Sequence, residues 1–376
     1  MPLVHQAVAS FVPYDAVSEA ALRFERILDG KAGARFSGRS TFVSSREDSR
    51  RFRPGKIVAE GIHRCLASKA IHFEDLELSR PEDVIIYHVS TDSEIVPWLE
   101  TRKEKVVVYY HNLTPSLFFA PYDPAVARRL DRARSQLQFL SDIAVAAAAP
   151  SEFSCRELSQ LGFRKIARVL YPVPPLSKPV ESPRRLSARI GSPREPLEIL
   201  FVGRITPNKA QDQLLRLTAL LEREGVVCNL ALAGGVHIPL YRRYLAHLFE
   251  RLDLGKDPFL GLLSPRQLDR RYGDATLFVS FSRHEGFLVP AVEAMQRGLP
   301  IIALMRGAVP ETVGSGGVLV AEDDVAVFAA LIMEIIQTRD LYEQLSWAGM
   351  NRARQVCDPE AISASFREFL AWSIEI

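Results

Sequence analysis

Short apolar runs alternate along the chain with amphipathic stretches. The runs are rich in β-branched residues, and each has the length of a strand buried inside a parallel sheet. Stretches between them, such as KAQDQLLRLTALLERE and DVAVFAALIMEIIQ, show helical spacing. This alternation predicts βαβ units and therefore doubly wound parallel sheets. The runs are VIIYHV from Val84, VVVYYHN from Val106, LEILFVG from Leu197, CNLALAGG from Cys228, ATLFVSFS from Ala275 and PIIALM from Pro300.

A proline-rich segment interrupts this pattern and predicts two α/β domains. Residues 171–196 read YPVPPLSKPVESPRRLSARIGSPREP, a composition that disfavours regular elements. We expect two Rossmann-like doubly wound domains that face each other across a cleft, with the ligand between the carboxyl ends of their strands. The predicted boundaries are 1–172 for the N-terminal domain, 173–196 for the linker, 197–358 for the C-terminal domain, and 359–376 for a helix packing back toward the N-terminal domain.

Composition narrows the functional classes. A net charge of +2 argues against a nucleic-acid partner, which would require a stronger basic footprint. The four cysteines show no C-x-x-C spacing, which indicates reduced thiols in a cytoplasmic protein. The first residues lack the features of a signal peptide, and no apolar run approaches the roughly 18 residues of a membrane span. We therefore expect a cytoplasmic protein that could still rest on a membrane surface.

Two acids, eight positions apart, lie in SRHEGFLVPAVEAMQRG, residues 282–298. The turn between an apolar strand and a helix carries Glu285, and Gly286 allows a ligand to approach the backbone. Free N–H groups and the helix dipole predict an anion site at this turn. Glu293, one helical turn inside, could accept two hydrogen bonds from a diol. Alternatively, Glu285 only complements the dipole and Glu293 lies on a solvated face.

A second polar loop, in FVGRITPNKAQDQLL, follows an apolar strand that ends at Gly203. Arg204 and Lys209 are suited to a pyrophosphate, because arginine can hold oxygens bidentately and lysine acts as a point charge. Such cations would stabilise a diphosphate as it leaves a sugar. The alternative is an ordinary solvated loop.

The two motifs together resemble the family-four retaining glycosyltransferases, whose fold is the two-domain GT-B arrangement. The resemblance covers GRITPNKAQDQLL and RHEGFLVPAVEAMQRGLPIIALMRGAVPETVGSGGVLV in the second half of the chain. In the first half, VVVYYHNLTPSLFF and QLQFLSDIAVAAAAPSEFSCRELSQLGF are similar to a subgroup of bacterial exopolysaccharide and O-antigen assembly enzymes.

The resemblance implies a role for each site residue. Arg204 and Lys209 bind the donor diphosphate, close to Gly203 at the strand end. Glu285 contacts the transferred sugar, and Glu293 binds the ribose diol. His111 follows a strand of the N-terminal domain and approaches the transferred sugar, whereas His88 is expected to be structural. Backbone N–H groups that reach the sugar and β-phosphate come from Gly286, Phe287 and Leu288.

The sequence departs from the family pattern in two places. Ala210 stands where a glycine commonly follows the lysine. No glycine-rich loop follows the first strand, where Asp15 and Ser18 could cap the helix and Asp15 could help to place the acceptor.

No D-x-D pair occurs, and Glu322, Asp323 and Asp324 are interpreted as amino-terminal acids of a helix. The site is therefore expected to need neither a metal nor a separate cofactor.

The function that the resemblance implies is retaining transfer of a hexose or deoxyhexose from a nucleotide diphosphate sugar to a saccharide acceptor. The implied acceptor is a lipid-linked oligosaccharide in bacterial surface polysaccharide synthesis. Two alternatives stay open: a sugar-nucleotide 2-epimerase of the same architecture, and a catalytically silent nucleotide-sugar-binding scaffold.

Arginines of the N-terminal half suggest where the acceptor lies. The segment REDSRRFRPGK, residues 46–56, and the helix PAVARRLDRARSQLQFL, residues 124–140, are rich in arginine. A lipid-linked acceptor would bring such cations to an anionic membrane surface, where each contributes about 1 kcal/mol. The alternative is a solvated charged face.

Overall fold

The structure is a computed structural model that describes residues 1–30, 51–173, 176 and 180–375. These residues form two compact units. Unit 1 comprises Met1–Ser116, Val126–Ser177 and Cys357–Ile376, and unit 2 comprises Leu117–Ala125 and Lys178–Val356.

Unit 1 contains a seven-stranded parallel sheet with the strand order β3-β2-β1-β4-β5-β6-β7. Its strands are β1 (Leu3–Phe11), β2 (Arg53–Ile62), β3 (Ala70–His72), β4 (Val84–Val89), β5 (Lys105–Tyr110), β6 (Ala146–Ala149) and β7 (Ile166–Arg168). Its helices are α1 (Ala16–Leu28), α2 (Ile95–Glu100), α3 (Pro124–Ile143), α4 (Glu152–Gln160) and α12 (Pro359–Ile374).

Unit 2 contains a six-stranded parallel sheet with the order β10-β9-β8-β11-β12-β13. Its strands are β8 (Leu197–Val202), β9 (Cys228–Ala233), β10 (Phe259–Gly261), β11 (Leu277–Ser280), β12 (Ile301–Leu304) and β13 (Val318–Val320). Its helices are α5 (Gln211–Arg223), α6 (Pro239–Arg251), α7 (Pro265–Asp274), α8 (Val289–Gln296), α9 (Val309–Val313), α10 (Val325–Gln337) and α11 (Arg339–Val356).

Both sheets change the direction of strand order beside their first strand. The switch lies between β1 and β4 in unit 1 and between β8 and β11 in unit 2. In open α/β sheets, ligands bind outside the carboxyl ends of the strands at such a point. The loops after β8 and β11 contain the two sequence motifs, so both motifs lie at the switch point of unit 2.

The central strands are buried on both faces, as their continuous apolar runs predict. All residues of β4, β6, β11 and β12 are buried. The prediction of two α/β domains with parallel, Rossmann-like sheets is therefore confirmed, and each of the six apolar runs contains a strand.

Segments near the predicted domain boundaries have specific contacts. Residues 117–125 belong to unit 2 rather than unit 1, and the Tyr122 ring lies 5.1 Å from that of Tyr241. In the predicted linker, the described residues form no element longer than a single bridge. Arg184 nevertheless donates hydrogen bonds to the carbonyls of Tyr272, Ala275 and Arg297 within unit 2. Helix α12 packs within unit 1, where the rings of Phe366 and Phe24 stack 4.1 Å apart.

Candidate donor site

The loop after β8 holds its predicted cations in a tightly constrained backbone. Gly203 ends the strand with φ 158°, and a side chain on Gly234 would overlap its carbonyl oxygen. Lys209 closes a short 3-10 turn, and Ala210 then adopts the left-handed conformation with φ 50° before α5 begins. The Arg204 side chain is exposed, and within the described ranges no side chain pairs with its guanidinium.

The loop after β11 is bonded directly to the loop after β8. The backbone N–H of Arg283 donates to the carbonyl of Asn208 at 2.8 Å, and the Asn208 amide donates to the carbonyl of His284 at 3.5 Å. Two motifs that are 76 residues apart in sequence therefore form one site.

An ion pair joins the two motifs at their functional side chains. The Lys209 Nζ lies 2.5 Å from Glu285 Oε1, and Glu285 is 8% exposed. An ammonium group has three donors, so Lys209 retains N–H groups for a second oxygen ligand. The predicted diphosphate cation and the predicted sugar-binding carboxylate are therefore neighbours.

Unpaired backbone donors lie at the start of α8. Leu288 adopts the left-handed conformation with φ 62° at the N-cap, and Pro290 occupies the first turn, as predicted. Across the described ranges, the N–H groups of Gly286, Leu288 and Val289 have no acceptor. Together with the positive end of the helix dipole, they can bind an anion.

A close backbone approach holds this turn in place. The N–H of Ala308 donates to the carbonyl of Glu285 at 2.9 Å, and the Thr312 hydroxyl donates to the carbonyl of Phe287. A side chain on Gly307, whose φ is 56°, would overlap the Glu285 backbone. Gly307 and Thr312 lie in RGAVPETVG, which carried the resemblance without an assigned role.

Glu293 lies on α8 and is held by a residue that sequence reasoning missed. The buried Tyr272 hydroxyl donates to Glu293 Oε2 at 2.8 Å, and burial together with the charge of Glu293 raises the pKa of Tyr272. The Arg297 guanidinium lies 4.7 Å from the Tyr272 ring centre and donates to the carbonyl of Glu293. Tyr272 lies in α7, and no local motif marks it.

The acids before α10 divide between two roles. Asp324 caps the helix by accepting from the N–H of Ala326 at 2.8 Å, as predicted. Asp323 differs from the prediction, because its carboxylate accepts from Arg283 Nε at 2.7 Å and from Gln213 at 3.0 Å. Burial opposes the charge of Arg283, but the hydrogen bond and charge of Asp323 outweigh it and raise the pKa of Arg283. Asp323 therefore anchors the site loop to α5.

The N-terminal candidates lie in unit 1. His111, at the end of β5, is partly exposed, and its Nε2 lies 2.8 Å from Nδ1 of the fully buried His88. Burial lowers the pKa of His111 well below its usual value, and the charge of a protonated His88 would lower it further. Asp15 caps α1 as predicted, since its carboxylate accepts from the N–H groups of Val17 and Ser18.

Most of the second half of the chain matches a known sequence family. Residues 184–352 match the sequence family described as Glycosyl transferases group 1. The matched region contains Arg204, Lys209, Glu285 and Glu293 and lies where the sequence resemblance was most specific.

Curated relatives match over less than half of the chain. The D-inositol 3-phosphate glycosyltransferase of Streptomyces avermitilis is 30% identical over 187 residues, covering 47% of this chain and 40% of the relative. O-antigen chain mannosyltransferase B of Escherichia coli is 29% identical over 174 residues, covering 44% of each. The chain therefore spans less than half the length of these relatives.

Solved structures share the fold over nearly the whole chain. Anabaena Alr3699/HepE in complex with UDP and glucose superposes with a TM-score of 0.69 at 15% identity and covers 99% of this chain and 100% of its own. Sucrose-phosphate synthase from Thermosynechococcus elongatus has a TM-score of 0.69 at 16% identity and covers 99% of both chains. At this identity the likeness supports the fold alone.

Arginines of the predicted membrane-facing surface are partly compensated. On α3, Arg129 and Arg132 both pair with Asp92, at 2.8 and 2.6 Å, and Arg134 lies 3.8 Å from Glu157. Arg46 and Arg50 lie outside the described residues. Arg51 pairs with Glu375 at 3.5 Å. Within the described ranges, no helix combines the length and apolar character needed to cross a membrane.

Proposed function

We propose that this protein is a retaining glycosyltransferase that moves a hexose or deoxyhexose from a nucleotide diphosphate sugar to a saccharide acceptor. The observation that carries the proposal is the joined pair of loops at the switch point of unit 2. There, Lys209 contacts Glu285 at 2.5 Å beside unpaired N–H groups at the start of α8. The match of residues 184–352 to the glycosyltransferase family supports it.

The diphosphate of the donor binds between cations and backbone donors. Lys209 turns its remaining N–H groups to a phosphate oxygen, and the exposed Arg204 guanidinium reaches the same group. The N–H groups of Gly286 and Leu288 add hydrogen bonds, and that of Phe287 lies in the same turn. These charges act most strongly when the diphosphate leaves, because negative charge then develops on it.

The two acids bind different parts of the donor. Glu285 accepts hydrogen bonds from hydroxyls of the transferred sugar, and Lys209 holds its carboxylate in place. Glu293 binds the ribose diol while Tyr272 fixes the orientation of its carboxylate. The separation of these roles rests on the family resemblance, and the Tyr272 contact at 2.8 Å supports a preorganised Glu293.

The reaction proceeds on one face of the sugar. The acceptor oxygen forms a bond to the anomeric carbon as the bond from that carbon to the phosphate oxygen breaks. The leaving phosphate oxygen takes the proton of the acceptor hydroxyl, and attack on the same face retains the configuration. Arg204 and Lys209 stabilise the departing diphosphate without a metal.

The names of the relatives support a saccharide acceptor and a nucleotide sugar donor. An O-antigen chain mannosyltransferase is among the relatives, and a structure with UDP and glucose is among the fold neighbours. We infer that the acceptor is a lipid-linked oligosaccharide of a bacterial surface polysaccharide, reached by a cytoplasmic enzyme at the membrane surface. GDP-mannose and UDP-glucose are the first donors to test.

A thermal-shift panel of GDP, UDP and ADP tests the donor site. A nucleotide present at 100 times its dissociation constant stabilises the protein by about 2.7 kcal/mol. The nucleotide with the matching base should therefore give the largest rise in melting temperature. The matching nucleotide sugar is then incubated with a saccharide acceptor, with and without EDTA. We expect glycoside formation of retained configuration that EDTA leaves unchanged.

Other outcomes would contradict the proposal. Conversion of the donor alone into an epimeric nucleotide sugar would indicate an epimerase. Nucleotide binding without transfer to any saccharide would indicate a scaffold. Loss of transfer in EDTA, restored by Mg²⁺, would contradict the metal-free site.

A further inference from the structure

Three polar side chains form a continuous hydrogen-bonded chain inside unit 1. Gln6 lies on β1, His88 on the neighbouring β4, and His111 at the end of β5. His88 Nε2 lies 3.1 Å from Gln6 Oε1, and His88 Nδ1 lies 2.8 Å from His111 Nε2. Gln6 and His88 are 1% and 0% exposed. Both are therefore isolated from water, and their hydrogen bonds must be satisfied within the protein.

The orientation of the Gln6 amide fixes the first proton of this chain. Gln6 Nε2 donates to the carbonyl of Ala21 at 2.8 Å. The amide oxygen therefore faces His88, and an amide oxygen can only accept a hydrogen bond. His88 Nε2 must therefore carry a proton and donate a hydrogen bond to Gln6 Oε1.

His88 is neutral, which fixes the second proton. Its ring is fully buried, and burial lowers the pKa of His88 to about 3. A neutral imidazole with a proton on Nε2 has a lone pair on Nδ1. His111 Nε2 must therefore carry the proton of the hydrogen bond between the two histidines.

The remaining nitrogen of His111 is left as an acceptor. His111 is partly exposed, and its Nδ1 has no partner among the described residues. Aromatic rings hold the imidazole planes, because Tyr109 lies edge-on to His111 with centroids 4.9 Å apart and Phe24 stacks on His88 at 6.0 Å. Tyr109 and His88 therefore keep the His111 ring in place, with the lone pair of Nδ1 free to accept a hydrogen bond.

We propose that Gln6 and His88 are positioning residues that hold His111 in the tautomer protonated on Nε2, so that Nδ1 accepts a hydrogen bond from a substrate hydroxyl. This inference rests on the proposed function, which supplies a hydroxyl-bearing sugar as the ligand. The lone pair on His111 Nδ1 makes the site selective for a ligand group that donates a hydrogen bond. The opposite tautomer would present an N–H and would favour an acceptor such as a phosphate or carbonyl oxygen.

Selective ¹⁵N labelling of the eight histidines tests the tautomer in the protein without ligand. Long-range ¹H–¹⁵N correlation spectra distinguish protonated from unprotonated ring nitrogens, and His88→Asn and His111→Asn assign the signals. We expect both His88 and His111 to be neutral with the proton on Nε2. A proton on Nδ1 of either ring in the wild-type protein would overturn the proposal.

Variants remote from His111 test the positioning role. In Gln6→Leu, His88 loses its acceptor, so its proton moves to Nδ1 and His111 changes to the tautomer protonated on Nδ1. In His88→Asn, the side-chain oxygen can still accept from His111 Nε2, so the tautomer persists. His5→Asn removes another buried histidine of β1, on the opposite face of the strand from Gln6, and serves as the matched control. An unchanged His111 tautomer in Gln6→Leu would overturn the role of Gln6.

Kinetics separate this inference from the proposed function. With whichever of GDP-mannose and UDP-glucose the wild type uses, we expect Gln6→Leu and His88→Phe to lower kcat/KM roughly tenfold, as loss of one hydrogen bond does. His88→Asn should recover most of that loss, and His5→Asn should show none. Equal losses in His88→Phe and His88→Asn would overturn the role of His88. If no hexose or deoxyhexose is transferred from any nucleotide sugar of the base that the protein binds, the proposed function fails while the spectra still decide the tautomer.

Discussion

The ion pair between Lys209 and Glu285 is expected to affect both transfer and stability. Lys209→Ala should lower transfer by about 100-fold or more, because a charge partner of the leaving diphosphate is lost. It also leaves the nearly buried Glu285 carboxylate unpaired, so we expect a loss of about 1–3 kcal/mol in the free energy of unfolding. Transfer assays and urea unfolding measure the two effects.

A double variant separates the two effects of Lys209. Lys209→Ala combined with Glu285→Gln removes both charges, so the stability should recover while transfer stays low. Unchanged turnover in Lys209→Ala would exclude this lysine from the mechanism. Recovery of transfer in the double variant would show that the single variant failed through misfolding alone.

The two acids of the second motif should affect binding differently. Glu293→Ala should weaken binding of the free nucleoside diphosphate, since the ribose diol is present without the sugar. Glu285→Ala should leave that affinity nearly unchanged and lower turnover of the sugar donor. Isothermal calorimetry with UDP and GDP measures both affinities. Equal losses in the two variants would mean that the roles are assigned wrongly.

The buried histidines predict a loss of stability in acid. Burial holds the pKa of His88 at about 3 in the folded protein, whereas the unfolded chain takes up this proton near about pH 6.5. Below about pH 6.5 the unfolded state therefore binds more protons, and the free energy of unfolding falls as the pH drops toward 3. The contribution of His88 is about 1.4 kcal/mol per pH unit within that window.

Denaturant unfolding at several pH values between about 6.5 and 4.5 measures this slope. His88→Asn lacks the titrating group, so its slope should be smaller by about 1.4 kcal/mol per pH unit, while the carboxylates affect both proteins alike. Parallel slopes for the wild type and His88→Asn would show that His88 is protonated in the folded state.

The loops that follow strands hold the strained backbone of this protein. Five described residues other than glycine have left-handed backbone angles, and four of them, Tyr14, Asn112, Ala210 and Leu288, follow β1, β5, β8 and β11. These are the loops of Asp15, His111, Lys209 and Glu285. Such conformations cost about 1–2 kcal/mol each and persist only where the surrounding contacts impose them. The strain therefore coincides with every loop that the sequence marked as functional.

Ala210 offers a test of that strain. It has φ 50°, a left-handed conformation that glycine adopts without steric cost. Ala210→Gly should raise the free energy of unfolding by about 0.5–1 kcal/mol, because relief of the left-handed conformation exceeds the added chain entropy. The same change at the exposed Ala330 within α10 should lower it by about 1 kcal/mol. Losses of equal size at both positions would contradict the interpretation.

The charge distribution bears on where the protein works. Three of the four arginines of α3 have carboxylate partners, and Arg51 pairs with the exposed Glu375. Arg53 and Arg128 therefore offer the stronger cationic surface. Binding to vesicles of anionic lipid should occur at about 50 mM salt and decline at about 300 mM, because screening shortens the electrostatic reach. Co-sedimentation measures this binding.

A matched pair of variants tests the surface. Replacing Arg51, Arg53 and Arg128 with serine should abolish sedimentation with the vesicles. Replacing three exposed cations of unit 2, Arg223, Arg251 and Lys256, with serine should leave it unchanged. Equal effects of the two triple variants, or no binding at low salt, would exclude this surface as a membrane anchor.

The pattern of the sequence was sufficient for most of the fold. Mostly apolar runs such as VIIYHV are typical of strands that a parallel sheet buries on both faces, so β4, β5, β8, β9, β11 and β12 were predictable. Strand β6 was not, because AAAA has the composition of a helix and only its neighbours β5 and β7 make it a strand. The grouping of residues 117–125 with unit 2 likewise has no local signal, since it depends on the packing of Tyr122 on a helix that is distant in sequence.

The sequence alone also predicted the residue types of the candidate site, because glycine turns, cations after strands and acids on a helix carry local signals. Their pairing depended on tertiary structure. The contact of Lys209 with Glu285 spans 76 positions, and the contacts of Tyr272 with Glu293 and of Gln6 with His88 leave no local pattern. Such contacts arise when the strand order brings elements that are distant in sequence next to each other. The sequence therefore predicted which chemical groups the candidate site contains. The orientation and protonation of those groups were decided by the fold.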